Sequence, residues 1–296
     1  MAKVTCELLT VTPNMAHEWL NGMGKNRRVR QGRIDLYAQQ MKRGDWMVTG
    51  QGLAFDERGK LIDGQHRLAA VIKADKPIEM MVTRGLKVGT QLVLDQPIAR
   101  QIHDQISLDR GLDVTSRHVA VAKQMMLSIR VEYSGRLIDT RDTPLVERFY
   151  MKHHNAIAYA VARFTKVVPG VTLASVMAVM ARAYYCTDEH ELLAEFANIL
   201  TTGFTETRTA SAAIALRNFL IAGKVSARKT KTRVEIYKRT ELALAAFLKR
   251  EPMLHLPKTD LKQELFPLPE EVTAMKIAAK PTMVKKVKAV ITQVAR

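Results

Sequence analysis

The sequence predicts an α+β amino-terminal domain followed by an all-helical carboxy-terminal domain. Three observations carry this expectation. Short apolar runs (53–55, 61–62, 77–82) are interspersed with longer segments whose apolar residues recur at helical spacing, up to about residue 105. From about residue 112 the texture turns entirely to helix-period stripes. With 296 residues and 47% hydrophobic composition, there is material for more than one core. The expected boundaries are 1–108 for the first domain and 109–296 for the second.

Taken in order, Thr12-Pro13 before Met15, Ala16, Trp19 and Leu20 reads as a capped helix with proline in its first turn. A basic loop follows over Gly24–Arg30. Ile34, Tyr37, Ala38 and Met41 share a helix face, and Gly44 is placed to end that helix. Trp46–Val48 and Leu53–Phe55 are short strand candidates, with Asp56–Gly59 as a turn into Leu61-Ile62. The polar run Asp63-Gly64-Gln65-His66-Arg67 is expected as a loop, with a helix opening at Leu68 and a strand over Pro77–Val82. Beyond, helices are expected around Val119–Ile129, from Thr143-Pro144 toward His153-His154, and over Thr172–Tyr185, the last buried all round. Asp188–Glu191 fits a capping box for a helix to Leu200. Ala210–Leu220 and Arg233–Lys249 complete a bundle of five or six helices. The prolines at 252, 257, 267, 269 and 281 mark looped chain, with a tail helix from Met283.

The Asp63–Arg67 run is the candidate site. Glycine at a strand-to-helix junction lets backbone approach a ligand closely, and the first N–H groups of the next helix lack partners. Those donors, the helix dipole and the Arg67 fork suit an anion, phosphate above all. The alternative is a plain turn in which Arg67 pairs with a nearby carboxylate.

Charge points the same way. A net charge of +17 favours a polyanion, with DNA or RNA as first candidate. Lys224, Arg228, Lys229, Lys231 and Arg233, interleaved with Ser and Thr, suit backbone phosphates, and Lys276 to Arg296 form a second basic stretch. Aromatics are 6% of the chain and do not punctuate these runs, so duplex backbone is favoured over stacked bases. No apolar run approaches the ~18 residues of a membrane span, and the start has no signal-peptide pattern. A cytoplasmic protein without a membrane partner is expected. Two cysteines exclude a disulfide framework, and His153, His154 and His190 are expected as surface or capping residues rather than metal ligands. Met125, Met126, Met177 and Met180 are expected in the core. A homodimer is compatible with the sequence, which does not set the oligomeric state.

Asn26-Arg27, a helix ending near Gly44, a hairpin with an acidic-glycine turn, and Ile62-Asp63-Gly64-Gln65-His66-Arg67-Leu68-Ala69-Ala70 together resemble the ParB/sulfiredoxin superfamily over about residues 20 to 105. The look is nearest to ParB-like proteins of bacteriophages, which are often called nucleases by analogy. Members of the superfamily bring nucleotide phosphates to this loop. The resemblance therefore implies a nucleoside triphosphate (ATP or CTP) with Mg²⁺, and a bacterial host cell if the chain is phage-encoded. It assigns phosphate contacts to Gly64, Gln65, His66, Arg67, Asn26, Arg27 and Arg28. His66 is also implied as a proton-transfer group, and Asp63 as a catalytic or metal-holding carboxylate. Gln65 stands where ParB has Glu and sulfiredoxin its reactive Cys, which disfavours thiol chemistry. Asp95, Arg100 and Asp104 resemble the charged punctuation after the phage-type core; the alternative, slightly favoured, is a salt-bridge network bracing the domain edge. The helix-turn-helix of partition ParB has no clear counterpart, although Gly111–Met126 could hold one. The implied activity is a DNA-associated nucleotide-binding protein. The alternatives are a phosphotransferase acting on a DNA-linked or small hydroxyl, and a metal-dependent nuclease.

Overall fold

A computed structural model describes residues 3–23, 29–90, 101–128, 140–205, 210–222, 230–257 and 264–271. The chain divides into two compact units, Met1–Ala99 and Arg100–Arg296. The dividing point thus falls nine residues ahead of the one expected from sequence.

The first unit is α+β, built in the order β1 (Thr5–Val11), α1 (Pro13–Asn21), α2 (Gln31–Arg43), β2 (Leu53–Asp56), β3 (Leu61–Asp63), α3 (Gln65–Ala74) and β4 (Ile78–Leu86). Its mixed sheet has the order β1-β4-β2-β3. β4 lies in the middle, antiparallel to β1 (Thr5 opposite Arg84) and parallel to β2 (Leu53 opposite Val82). Thr12 caps α1 through its side chain, and Gly44, at φ 79°, ends α2 in the left-handed conformation that glycine adopts without penalty. α3 packs against both α1 and α2. It buries Leu68, Ala70 and Val71 in a core shared with Ile34, Met41, Leu53, Phe55 and Val82. The β2–β3 turn is held by Asp56, whose Oδ1 accepts from the N–H groups of Arg58 (2.9 Å) and Lys60 (2.8 Å).

Three expectations are corrected here. β1 is a full strand that the sequence reading passed over; exposure along Thr5–Leu8 leaves this edge without a one-sided apolar pattern. Trp46–Val48 forms no strand: Trp46 packs edge-on against Tyr37, and Met47 is 77% exposed. α3 opens at Gln65 rather than Leu68, so His66 and Arg67 belong to its first turn.

The second unit is helical among the described residues: α4 (Ile102–Arg110), α5 (Ser116–Ser128), α6 (Thr143–Arg163), α7 (Ala174–Ala183), α8 (His190–Thr202), α9 (Ser211–Ala222) and α10 (Thr230–Leu248). α7 is buried from Ser175 to Ala183, as its Ala, Val and Met content predicts, and packs against α5, α6 and α10. Met125, Met126, Met177 and Met180 are all core residues. α4 was not anticipated, and Asp104 closes its capping box with Gln101. Gly111–Met126 holds a linker and most of one helix, α5, rather than a helix pair. The capping box at Asp188–Glu191 is not formed; Glu189 is the N-cap without a side-chain bond, and Thr187 Oγ1 accepts from its N–H. Within the proline-rich region, Phe266 and Leu268 are fully buried. Asp95, Arg100 and the tail helix expected from Met283 lie outside the described residues. No described helix is long and apolar enough to cross a membrane.

Gly52 sets the approach of β2's leading end to β4. A Cβ there would lie 1.7 Å from the Met81 carbonyl oxygen, whereas one on Gly50 would meet nothing within 4 Å. Gly52→Ala is expected to cost about 3 kcal/mol in urea unfolding, and Gly50→Ala about 0.5 kcal/mol or less. Equal midpoints for the two variants would contradict this packing.

Candidate functional site

The Asp63–Arg67 run sits where β3 turns into α3. Gly64 is the N-cap, at φ 108° and ψ 5°, a conformation that residues with a Cβ rarely adopt. A Cβ on it would lie 2.4 Å from Leu53 Cδ2 and 3.4 Å from Leu53 Cα. The glycine expected to admit a ligand therefore also admits β2. Asp63 faces the same turn, and its Oδ1 accepts from the Gly64 N–H at 2.7 Å.

Arg67 is tethered through one nitrogen. Its Nη1 donates to the Gly52 carbonyl at 3.0 Å and to Asp63 Oδ2 at 3.3 Å. The carboxylate partner expected of a plain turn is thus present. Yet Nε and Nη2 make no hydrogen bond among the described residues, so the other edge of the guanidinium is not consumed by the fold. Arg67 lies in the first turn of α3, where backbone N–H groups have no intrahelical acceptor and the dipole is positive. A half-tethered arginine at that place loses little side-chain entropy when it grips an anion.

His66 is engaged with the backbone. Its Nε2 accepts the backbone N–H of Arg30 at 3.0 Å, which places the ring proton on Nδ1 in the neutral form. The ring ties the end of the basic loop to the start of α3, across 36 positions of sequence. Through Nε2, then, it donates nothing to a phosphate in this arrangement. Gln65 and His66 are both buried, at 4% and 6% exposure. Asn26, Arg27 and Arg28 lie outside the described residues.

Asp63 is engaged in the turn itself. Both of its oxygens hold the turn, and among the described residues there is no group of three His, Cys, Asp or Glu side chains placed to bind an ion. Asp56, the other carboxylate considered, is occupied by its own turn.

Of the basic run on the second unit, Lys231 and Arg233 belong to the first turns of α10, while Lys224, Arg228 and Lys229 lie outside the described residues. His153, expected as a surface or capping residue, is 2% exposed, and His190 stacks on Tyr184 at 4.3 Å between ring centres. Sequence reasoning missed Gly52, whose carbonyl fixes Arg67; its signal was a glycine inside the polar Thr49–Gly52 run that precedes a strand. It also missed a buried ionic cluster around Arg182, whose members lie far apart in sequence.

No family model, no curated protein and no solved structure matches the chain.

His66→Phe keeps the ring's volume and removes the acceptor. With the Arg30 N–H left unsatisfied, we expect a loss of about 1–3 kcal/mol in urea unfolding. A change under about 0.5 kcal/mol would show that this bond does not hold the loop.

Proposed function

We propose that the chain binds a nucleoside triphosphate at the first turn of α3 and docks on duplex DNA through its basic residues, as a ParB-like protein of the kind its loop resembles. The observation that carries this reading is Arg67: anchored by Nη1 to Gly52 and Asp63, with Nε and Nη2 unengaged among the described residues. Two coplanar N–H donors on a held guanidinium match a pair of phosphate oxygens, and the helix end adds its dipole. The basic loop that resembles the family's at Asn26–Arg28 precedes Arg30, whose N–H is held by His66. Net charge of +17 and basic residues in the first turns of α10 support the second half, since such contacts position a protein on a phosphate backbone.

In this reading Asp63 is a positioning residue that aims Arg67, and His66 fixes the arm that precedes α2. Neither is assigned a proton-transfer step. The carboxylates described do not fit a protein-built Mg²⁺ cage, so the ion would accompany the triphosphate rather than be held beforehand.

Calorimetric titration of ATP, CTP, GTP and UTP with Mg²⁺ tests the first half. One nucleotide is expected to bind, and Arg67→Ala to weaken it by about tenfold to a hundredfold, the loss of a charge-assisted pair. Unchanged affinity in the variant would overturn the reading. For DNA, the pair Lys231→Ala and Arg233→Ala is expected to lower the salt slope of binding by about one per lost phosphate contact. Transfer of labelled terminal phosphate to a hydroxyl, or nucleotide-independent cutting of DNA, would instead favour the kinase or the nuclease.

A further inference from the structure

In the second unit, residues 264–271 are held by a cluster of charges. Arg182 of α7 is fully buried and donates from Nε to the Phe266 carbonyl at 2.8 Å; its Nη2 pairs with Glu264 at 3.1 Å and with Glu271. Lys238 of α10 pairs with Glu241 at 2.8 Å and Glu264 at 3.3 Å, and Tyr237 donates to Glu264 at 3.2 Å. Glu241 also reaches the segment's backbone, accepting from the Leu265 N–H at 3.3 Å. Phe266 and Leu268 are the apolar anchors between these polar contacts, each fully buried.

The charges do not balance. Among the described residues, two cations (Arg182, Lys238) face three carboxylates (Glu241, Glu264, Glu271), whose side chains are 1%, 11% and 12% exposed. An unmatched negative charge in such a place is costly, and a proton is the smallest remedy. Glu241 and Glu264 converge on the one Lys238 ammonium, at 2.8 and 3.3 Å.

We propose that this cluster is a proton-binding site: one proton is held on the Glu241 carboxyl, and its loss releases residues 264–271 from α7 and α10. Burial, with Glu264 as second cause, pushes the Glu241 carboxyl up to about 8. Burial also raises Glu271, against the pull of Arg182. Burial pushes the Cys186 thiol up to about 12 and lowers His153, whose Nε2 pairs with Glu270 at 2.9 Å. Burial would raise Glu270, but its own backbone N–H and His153 hold it below the usual carboxylate range, and Lys152 lies 3.2 Å away. Burial raises Tyr185, which donates to His153 Nδ1.

The sign follows from linkage. A carboxyl that is protonated in the docked state and ordinary in the released one favours docking at low pH. That preference falls as pH rises from the ordinary value of 4.5 through about 8, and is level beyond. The consequence is regional: the chain after Glu271 carries six Lys and Arg residues and no Asp or Glu, and the latch fixes the point from which that basic stretch departs. The proposal is independent of the nucleotide reading.

Limited proteolysis by subtilisin on the full chain, with cleavage mapped by mass spectrometry, reads the released state when opening and closing are fast. Cleavage within 264–271 in wild type, divided by that in Glu241→Gln at the same pH, is expected to rise about tenfold from pH 7 to pH 9. A ratio that does not change with pH overturns the proposal. Should Glu241→Gln fail to fold, carboxyl-carbon NMR of the wild type decides: a glutamate titrating near pH 8 sustains the proposal, and none above about pH 6 overturns it.

Discussion

The first unit depends on how closely β2 can lie against its neighbours. Gly52 brings its leading end within van der Waals reach of the Met81 carbonyl, and Gly64 lets the β3–α3 junction pass over Leu53. With both contacts in place, the Gly52 carbonyl and the Asp63 carboxylate stand side by side before α3, and one nitrogen of Arg67 meets both. The orientation of the candidate anion grip is thus a by-product of backbone packing. A longer side chain at either glycine would displace the arginine before it touched any ligand.

The same junction shows what a sequence reveals. The α+β character, the helix stop at Gly44 and the buried α7 were legible because each rests on a local signal: a left-handed cap, or an apolar periodicity. The place of the Asp63–Arg67 run at a strand-to-helix junction was legible too, from five polar or glycine residues between two apolar stretches. Their partners were not. That His66 accepts from Arg30, or that Arg67 finds the Gly52 carbonyl 15 residues back, depends on tertiary proximity that no spacing encodes. β1 escaped notice because an exposed edge strand has no one-sided pattern to detect.

The second unit makes the point more strongly. Arg182, in an Ala-, Val- and Met-rich helix, reads from sequence as an interruption; in the fold it is the centre of a cluster joining α7, α10 and residues 264–271. Buried ion pairs of this kind add little net stability over apolar packing, yet removing one member leaves the others stranded. Their effect is to fix which segment docks and in what register, and an odd number of charges makes that docking sensitive to a proton. His153, expected as a surface or capping residue, belongs to the same region through Glu270.

The claim on which the functional account turns is that the Nε–Nη2 edge of Arg67 receives a phosphate. Nitrogen-15 NMR of the arginine Nε–H groups reads that edge directly, with the Arg67 signal assigned by its absence from Arg67→Lys. Titration with inorganic tripolyphosphate is predicted to shift the Arg67 signal and slow its exchange with water. A signal that stays in place while tripolyphosphate binds elsewhere, or does not bind, would contradict the account.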